Sequence, residues 1–437
     1  MSIAGDVTTE PTWSPRLSVD ERLTLLLDRG SVLEIAAQAR SQQPSVAADT
    51  PADGVRTMLA RIRNIDVAVI AEDGAVLART DGEVARAKRH RILDLARMTG
   101  VPVILLLDGP AQSVGRFDPN VGELAGHMSD PRLDIDLRHR AAPLISVVCG
   151  RVVGWSRAVL GESDVVIASE ETIRELDSGI AAAADIIAAD ETEAIGQAVA
   201  VLELLAGGRS KPGPAESDFA TVNDDKWIDA RLSAAECAQQ FADAGSFVPF
   251  TAPQPHVAAG LATVERWPLA VIAVGGSERG VLAKEDLRRI TKLYRLSRQN
   301  RLPLLVLENC AGLDSEALGS YELLAELAAE LRGSDNLKVN VITGAGHALG
   351  MFPLGSRQLG IDYFVAWPWA DLSIIDPPTD YSPESLDAVR NVGPWLAAGR
   401  GLVDDILTPS QSIEAVRWIV HLYMSNHDNS STTHRRA

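Results

Sequence analysis

The chain has 437 residues, 46% of them hydrophobic and 23% charged, with a net charge of −18 at pH 7. That length exceeds what one core usually fills, so two domains are expected, and the ordinary apolar content argues against a disordered protein. The acidic balance argues against a nucleic-acid partner, which would need a basic face, and no run reaches the roughly 18 apolar residues of a membrane span.

The N-terminus, broken by prolines, lacks the basic and apolar regions of a secretory leader, so a cytoplasmic protein is expected. Cys149, Cys237 and Cys310 are odd in number, far apart and set in or beside apolar stretches, as reduced core residues would be. A short helix over SVDERLTLLLDRG is followed by a polar stretch, 39–54, that is expected to separate it from the first core. The strand DVAVIAEDGAVLA begins at Asp66, and the helix EVARAKRHRILDLARMTG follows, with Gly100 as its C-cap. On that helix Ile92, Leu95, Ala96 and Met98 are expected to face the core, and Arg86, Lys88, Arg89 and Arg91 to form a solvated face. The strand VPVILLLDG begins at Val101. The stretch 127–139 gathers His127, Asp130, Asp134, Asp136 and His139, yet a polar loop of this kind is read as solvated, and no metal is expected. Two apolar runs, Ile145–Cys149 and Val165–Ala168, then flank a loop carrying Gly150, Gly154 and Trp155.

After a stretch rich in Gly, Pro, Ser and Asp, the pattern starts again. PLAVIAVGGSERG is followed by the helix KEDLRRITKLYRLSRQN and the strand LPLLVLEN; VNVITG matches ISVVCG, and DYFVAW matches DVVIAS. Each half closes on an Asp-Ile pair, a polar turn and an apolar helix. Five elements recurring in order and spacing mark two copies of one fold. Short, nearly continuous apolar runs, as of strands buried on both faces, alternate with helices and make the class α/β. The expected layout is a domain over 15–209, a linker over 210–228, a second domain over 229–425 and a disordered tail over 426–437.

Two look-alikes are set aside. Ser156 in GWSRA lies seven residues after Cys149, whereas a nucleophile elbow needs its serine at the strand end. GAGHALG imitates a dinucleotide loop, but Pro353 interrupts the receiving helix and Asp362 opens the next strand instead of ending it.

The doubled pattern resembles the carboxyltransferase (β) subunit of biotin-dependent acyl-CoA carboxylases, two tandem crotonase-like domains (ββα superhelices) in one chain. DGEVARAK, MTGVPVILLLD, LGIDYFVAWPWADLSI and GLVDDILTP carry the resemblance, and Ala366-Trp367-Pro368 is its most specific part. It implies carboxyl transfer from carboxybiotin to an acyl-CoA through an enolate. Backbone N–H groups at a helix start can hold the enolate oxygen, because they point outward with the helix dipole behind them. The family's Gly-Pro-Cys-Ala-Gly-Gly-Ala phrase falls on Gly150–Ser156, and its Tyr-Gly-Gly-Ala-Tyr on His347–Met351. The resemblance therefore implies catalytic amides at Gly154, Trp155, Leu349 and Gly350, with Gly109, Ala111, His347 and Ala348 lining the substrate site. His347 could donate a hydrogen bond or act as a base, or be an ordinary surface histidine. Biotin is expected on a separate biotin carboxylase and carrier partner, since no Met-Lys-Met signature occurs here. The resemblance also implies an oligomer, commonly a hexamer, whose sites join the N-terminal half of one subunit to the C-terminal half of another.

The departures fall on the site. Trp155 replaces a glycine, its indole expected to reach the acyl-CoA channel; Gly109-Pro110-Ala111-Gln112-Ser113 stands where the family has Ser-Gly-Gly-Ala-Arg; and Asn309-Cys310-Ala311-Gly312-Leu313 stands in place of a Pro-Gly-Phe turn. Two alternatives follow from them: a partner subunit that has lost catalysis, and a crotonase-like decarboxylase acting on a malonyl-type thioester.

Overall fold

The computed structural model describes residues 16–40, 51–76, 83–109, 142–152, 155–175, 178–206, 232–250, 256–276, 278–373 and 393–433. The first half is a seven-stranded sheet in sequence order: β1 (Leu33–Ile35), β2 (Val55–Ile62), β3 (Ile65–Glu72), β4 (Val103–Leu107), β5 (Leu144–Val148), β6 (Val165–Ser169) and β7 (Ile186–Ala188). β1, β2 and β3 are antiparallel; from β3 to β7 all neighbours are parallel. Every residue of β4, β5 and β6 is buried, as their unbroken apolar sequences require of strands covered on both faces.

The second half repeats this plan with β8 (Val248–Pro249), β9 (Val257–Val264), β10 (Trp267–Val274), β12 (Leu304–Leu313), β13 (Lys338–His347), β14 (Tyr363–Ala366) and β16 (Asp405–Ile406). Two short strands are added at the carboxyl ends: β11 (Gly280–Leu282) beside β12 and β15 (Asp371–Ser373) beside β13.

The repeat extends further toward each N-terminus than the apolar pattern suggests. Ser18 with Glu21 and Ser233 with Glu236 form matching capping boxes. Asp28 accepts the amides of Arg63 and Asn64 at 3.1 and 2.8 Å, and Asp243 those of Glu265 and Arg266 at 3.0 and 2.7 Å. All four turn residues have φ between 51° and 65°, as a tight two-residue hairpin needs, and the carboxylates hold them there. Aspartates also start the strands: Asp164 accepts the amide of Leu144 and Asp362 that of Lys338, both at 2.8 Å.

Two expectations are corrected. The N-terminal helix Val19–Leu26 is part of the first core, where it buries Val19, Leu23 and Leu26; each is worth about 1.5–3 kcal/mol when fully buried. On the helix Glu83–Thr99, Lys88 and Arg89 are 3% and 2% exposed, while Met98 is 78% exposed. The buried face runs through Ala85, Lys88, Arg89, Ile92 and Ala96 because polar partners wait beneath it: Lys88 Nζ donates to the carbonyls of Ala52 and Val55 at 2.8 and 2.5 Å, and Arg89 Nη2 donates to Glu72 at 2.8 Å. Burial pulls the Lys88 ammonium down to about 8. The last helix runs from Pro409 to Thr433. The expected linker lies outside the described residues.

One apolar core runs through both halves, from Leu23 and Val201 to Leu287, Leu293 and Leu331. The helix Glu191–Ala206 packs on strands of both sheets, and Lys292 of the second half reaches Asp185 of the first. Burial raises the Asp185 carboxyl, and the Lys292 ammonium opposes that rise.

Candidate active site

In parallel sheets, loops at the carboxyl ends of neighbouring strands converge, and both candidate turns lie at such ends. In the first half, Cys149 and Gly150 both donate their amides to the Leu107 carbonyl, at 2.9 and 3.0 Å, so the chain leaving β5 folds across the end of β4. Gly109 donates its amide to Arg151 at 2.6 Å and so lies against the same loop. Gly154 and Ala111 are outside the described residues. Trp155 opens the helix Trp155–Leu160.

Gly150 is glycine for a visible reason. A Cβ there would lie 1.8 Å from Asp108 Oδ1. Asp108 is held in turn by Arg22, whose Nη1 donates to Oδ2 at 2.6 Å while its Nε donates to Glu191 at 2.5 Å. This buried network ties the N-terminal helix, the end of β4 and the start of the helix Glu191–Ala206 to the loop. The Cys149 thiol beside it is raised far above its ordinary range by burial.

The Trp155 indole stacks on Arg89, with the guanidinium carbon 4.7 Å from the ring centroid, and packs on the core formed by Ile92, Val148 and Val159. Its ring thus rests against its own domain. Ser156, fully buried, donates to Glu72 at 2.5 Å, and Glu72 is also the acceptor for Arg89. Ser156 Oγ is thus a buried structural donor that no solvent reaches.

In the second half β13 ends at His347, and the helix Ala348–Leu354 starts at once. His347 occupies the N-cap without a side-chain capping bond, so the first-turn amides, which lack intrahelical acceptors, are not covered by it. Gly350 presses on Cys310, since a Cβ there would meet Sγ at 2.7 Å. From below, Tyr294 Oη donates to the Pro353 carbonyl at 2.9 Å, and Asn340 Nδ2 donates to the Gly355 carbonyl at 3.1 Å and to the Glu308 carboxyl oxygen Oε2 at 2.9 Å. Asn309 takes the place of a turn residue by bridging strands: its side chain donates to Gly276 at 2.9 Å and accepts the Ala345 amide at 2.7 Å. Beside the turn, Asp371 accepts from Arg279 at 2.7 Å and faces His347 Nε2 at 3.4 Å.

The structure thus gathers Gly109 with the first turn, and His347, Ala348, Leu349 and Gly350 into the second; the two groups sit on different sheets. Sequence reasoning missed Glu72, Asp108, Glu308 and Asp371. The first three share a signal, a carboxylate closing an unbroken apolar run, at which burial is to be expected.

The chain matches the model of the carboxyl transferase domain over residues 15–174 and 178–380. It is 23% identical over 470 residues to the propionyl-CoA carboxylase beta chain of Saccharopolyspora erythraea, covering 90% of this chain and 85% of that one. It is likewise 23% identical, over 481 residues, to the biotin-dependent acetyl-/propionyl-coenzyme A carboxylase beta5 subunit of Mycobacterium leprae, with coverages of 93% and 87%. Among solved structures, the transcarboxylase 12S hexamer with bound methylmalonyl-coenzyme A superposes with a TM-score of 0.80 at 18% identity, covering 94% of this chain and 90% of that one. Both halves of the chain share in the match, and the chain belongs to the carboxyl transferase domain family.

Proposed function

We propose that the protein is the carboxyltransferase subunit of an acyl-CoA carboxylase, moving a carboxyl group from carboxybiotin to the α-carbon of an acyl-CoA. The observation that carries the reading is the paired placement of a helix-opening turn after β5 and after β13, within a match to the carboxyl transferase family that spans both halves. Amides in such turns suit an oxygen that gains negative charge during reaction. Biotin, on a separate carrier protein, supplies the transferable carboxyl; the turn at Ala348–Gly350, with no side-chain cap and no charged side chain of its own, suits the neutral ureido oxygen of that ring. In this reading the chain divides into domains at the linker 210–228, works in the cytoplasm, and assembles as a symmetric oligomer in which the two kinds of turn meet across a subunit boundary.

Trp155→Pro removes one amide at the first helical position, where proline is otherwise tolerated. Carboxylation of propionyl-CoA, with a carboxybiotin-bearing carrier, should fall at least about tenfold relative to Trp155→Ala, which loses the indole and keeps the amide. Equal turnover by the two variants defeats the amide assignment. A native protein that assembles but is inactive alone, and active only beside a second carboxyltransferase chain, would point to the partner-subunit role.

A further inference from the structure

We infer that Glu308 and Asn340 are positioning residues of the second turn: as a neutral acid paired with an amide they hold the helix Ala348–Leu354 in place, and ionisation of Glu308 releases it. Both side chains are fully buried. Asn340 Nδ2 gives one hydrogen to Glu308 Oε2 at 2.9 Å and the other to the Gly355 carbonyl at 3.1 Å, and two acceptors on that side settle which end of the amide is nitrogen. Glu308 Oε1 and the Asn340 oxygen are left without a partner among the described residues. They are the two atoms that one proton joins. A carboxylic acid beside a carboxamide closes a ring of two hydrogen bonds, N–H to one acid oxygen and O–H to the amide oxygen, and here the first is already made.

The ring bears on the helix through Gly355, which closes it with a φ of 102° and donates its amide to Met351 at 2.9 Å. A Cβ there would lie 2.7 Å from Ile361, so this end of the helix has little room to shift while Asn340 holds it. Backbone pairing alone does not fix the strand ends below, because β12 and β13 slip out of register between Glu308 and Cys310. The groups around Glu308 favour the neutral acid. β10 and β13 set Val274 and Ile342 beside it, and the helix Ala348–Leu354 has no titratable side chain. The helix Lys284–Asn300 brings Tyr294, whose phenol is raised by burial and by Glu308 itself, and Asp286, which acts on Cys310. Cys310, on the same strand, is a thiol pushed up to about 12 by burial. No cation pairs with Glu308 among the described residues, and burial lifts its carboxyl to about 8. Once ionised, Glu308 presents only acceptors to the Asn340 oxygen, and the uncompensated buried charge is relieved when Asn340 turns away or the helix lifts. Either breaks the bond to Gly355. The hold is complete below the value of an exposed glutamate and weakens, by up to about tenfold per pH unit, as pH climbs to the buried one.

Where the turn serves carboxyl transfer, as proposed above, its amides stay in place only while Glu308 keeps its proton. The test needs no activity, so a failure of that reading leaves this one standing. Infrared difference spectra of the native full-length protein against Glu308→Gln should show the C=O stretch of a protonated carboxyl at about pH 6 and lose it at about pH 9.5. Amide hydrogen exchange of a peptide covering 348–355, each rate divided by the intrinsic rate at the same pH, reads the helix. Its protection in the native protein should fall at least about tenfold between those pH values, while the strand Val103–Leu107 changes less. Glu308→Gln keeps the ring closed, with its own amide donating to the Asn340 oxygen, and should hold the helix equally at both. Absence of the protonated band at the lower pH, helix protection that ignores pH, or an equal loss in Val103–Leu107 overturns the proposal.

Discussion

Glu308 closes the apolar run of β12 and is fully buried, with Asn340 as the donor to Oε2; no donor reaches Oε1, nor the Asn340 oxygen, among the described residues. Burial raises its carboxyl to about 8, which the Asn340 bond only partly opposes. An unfolded glutamate titrates near about 4.3, so at neutral pH the folded state must take up a proton that the unfolded chain has released. The cost is absent below the unfolded value, grows as pH rises from there, and levels off above the folded value. At pH 7 it is on the order of 3 kcal/mol, taking about 1.36 kcal/mol per pH unit. Glu308→Gln removes it and adds an amide that can serve the Asn340 oxygen. The variant should be more stable than the native protein, with an advantage larger by roughly 3 kcal/mol at pH 8 than at pH 5.5. Denaturant midpoints of both proteins at the two pH values test this. A variant no more stable at pH 8, or an advantage that does not change with pH, would refute the burial argument.

Two more expectations concern the first half. Gly150→Ala drives a methyl into Asp108 and separates it from Arg22, so the protein should lose about 3–5 kcal/mol in denaturant titration, the usual cost of breaking a buried ion pair. Arg89→Met takes the guanidinium from Glu72 and from under the Trp155 ring and should destabilise by a similar amount, about 3–5 kcal/mol. The double change Glu72→Gln with Arg89→Met should recover most of it, and additive losses would show that the two side chains act separately.

The doubled fold was legible because parallel strands buried on both faces leave unbroken apolar runs, as in Val103–Leu107 and Leu304–Leu307, and these recur at matching intervals. The antiparallel hairpins before them were not, since β2 carries Arg56 and Arg61 within an irregular pattern, and the turn at Arg63-Asn64 has no glycine to announce it. What marks that turn is Asp28, far away in sequence. The position of the first candidate turn was readable from Gly150, but the orientation of Trp155 was not. It depends on Arg89 being buried, and Arg89 is buried only because Glu72, from another element, lies below it. Pattern reading assigns a basic helix face to solvent; a carboxylate at the end of an apolar strand reverses that assignment. His347 was visible as a candidate, whereas its pairing with Asp371 requires a strand, β15, that the first half gives no hint of.

The core shared by the two sheets has an evolutionary corollary. Since Val201, Leu202, Leu287 and Leu293 interlock beneath both, the spacing of one half from the other is set by packed side chains and not by the length of the chain that joins them. Insertions and deletions between Ala206 and Leu232 can accumulate without moving either turn, whereas a single enlarged residue on the inner side of the helix Glu191–Ala206 would tilt one sheet against the other. Descendants of this chain are free to vary most where the sequence already looks least constrained, and least along a helix packed on both sheets.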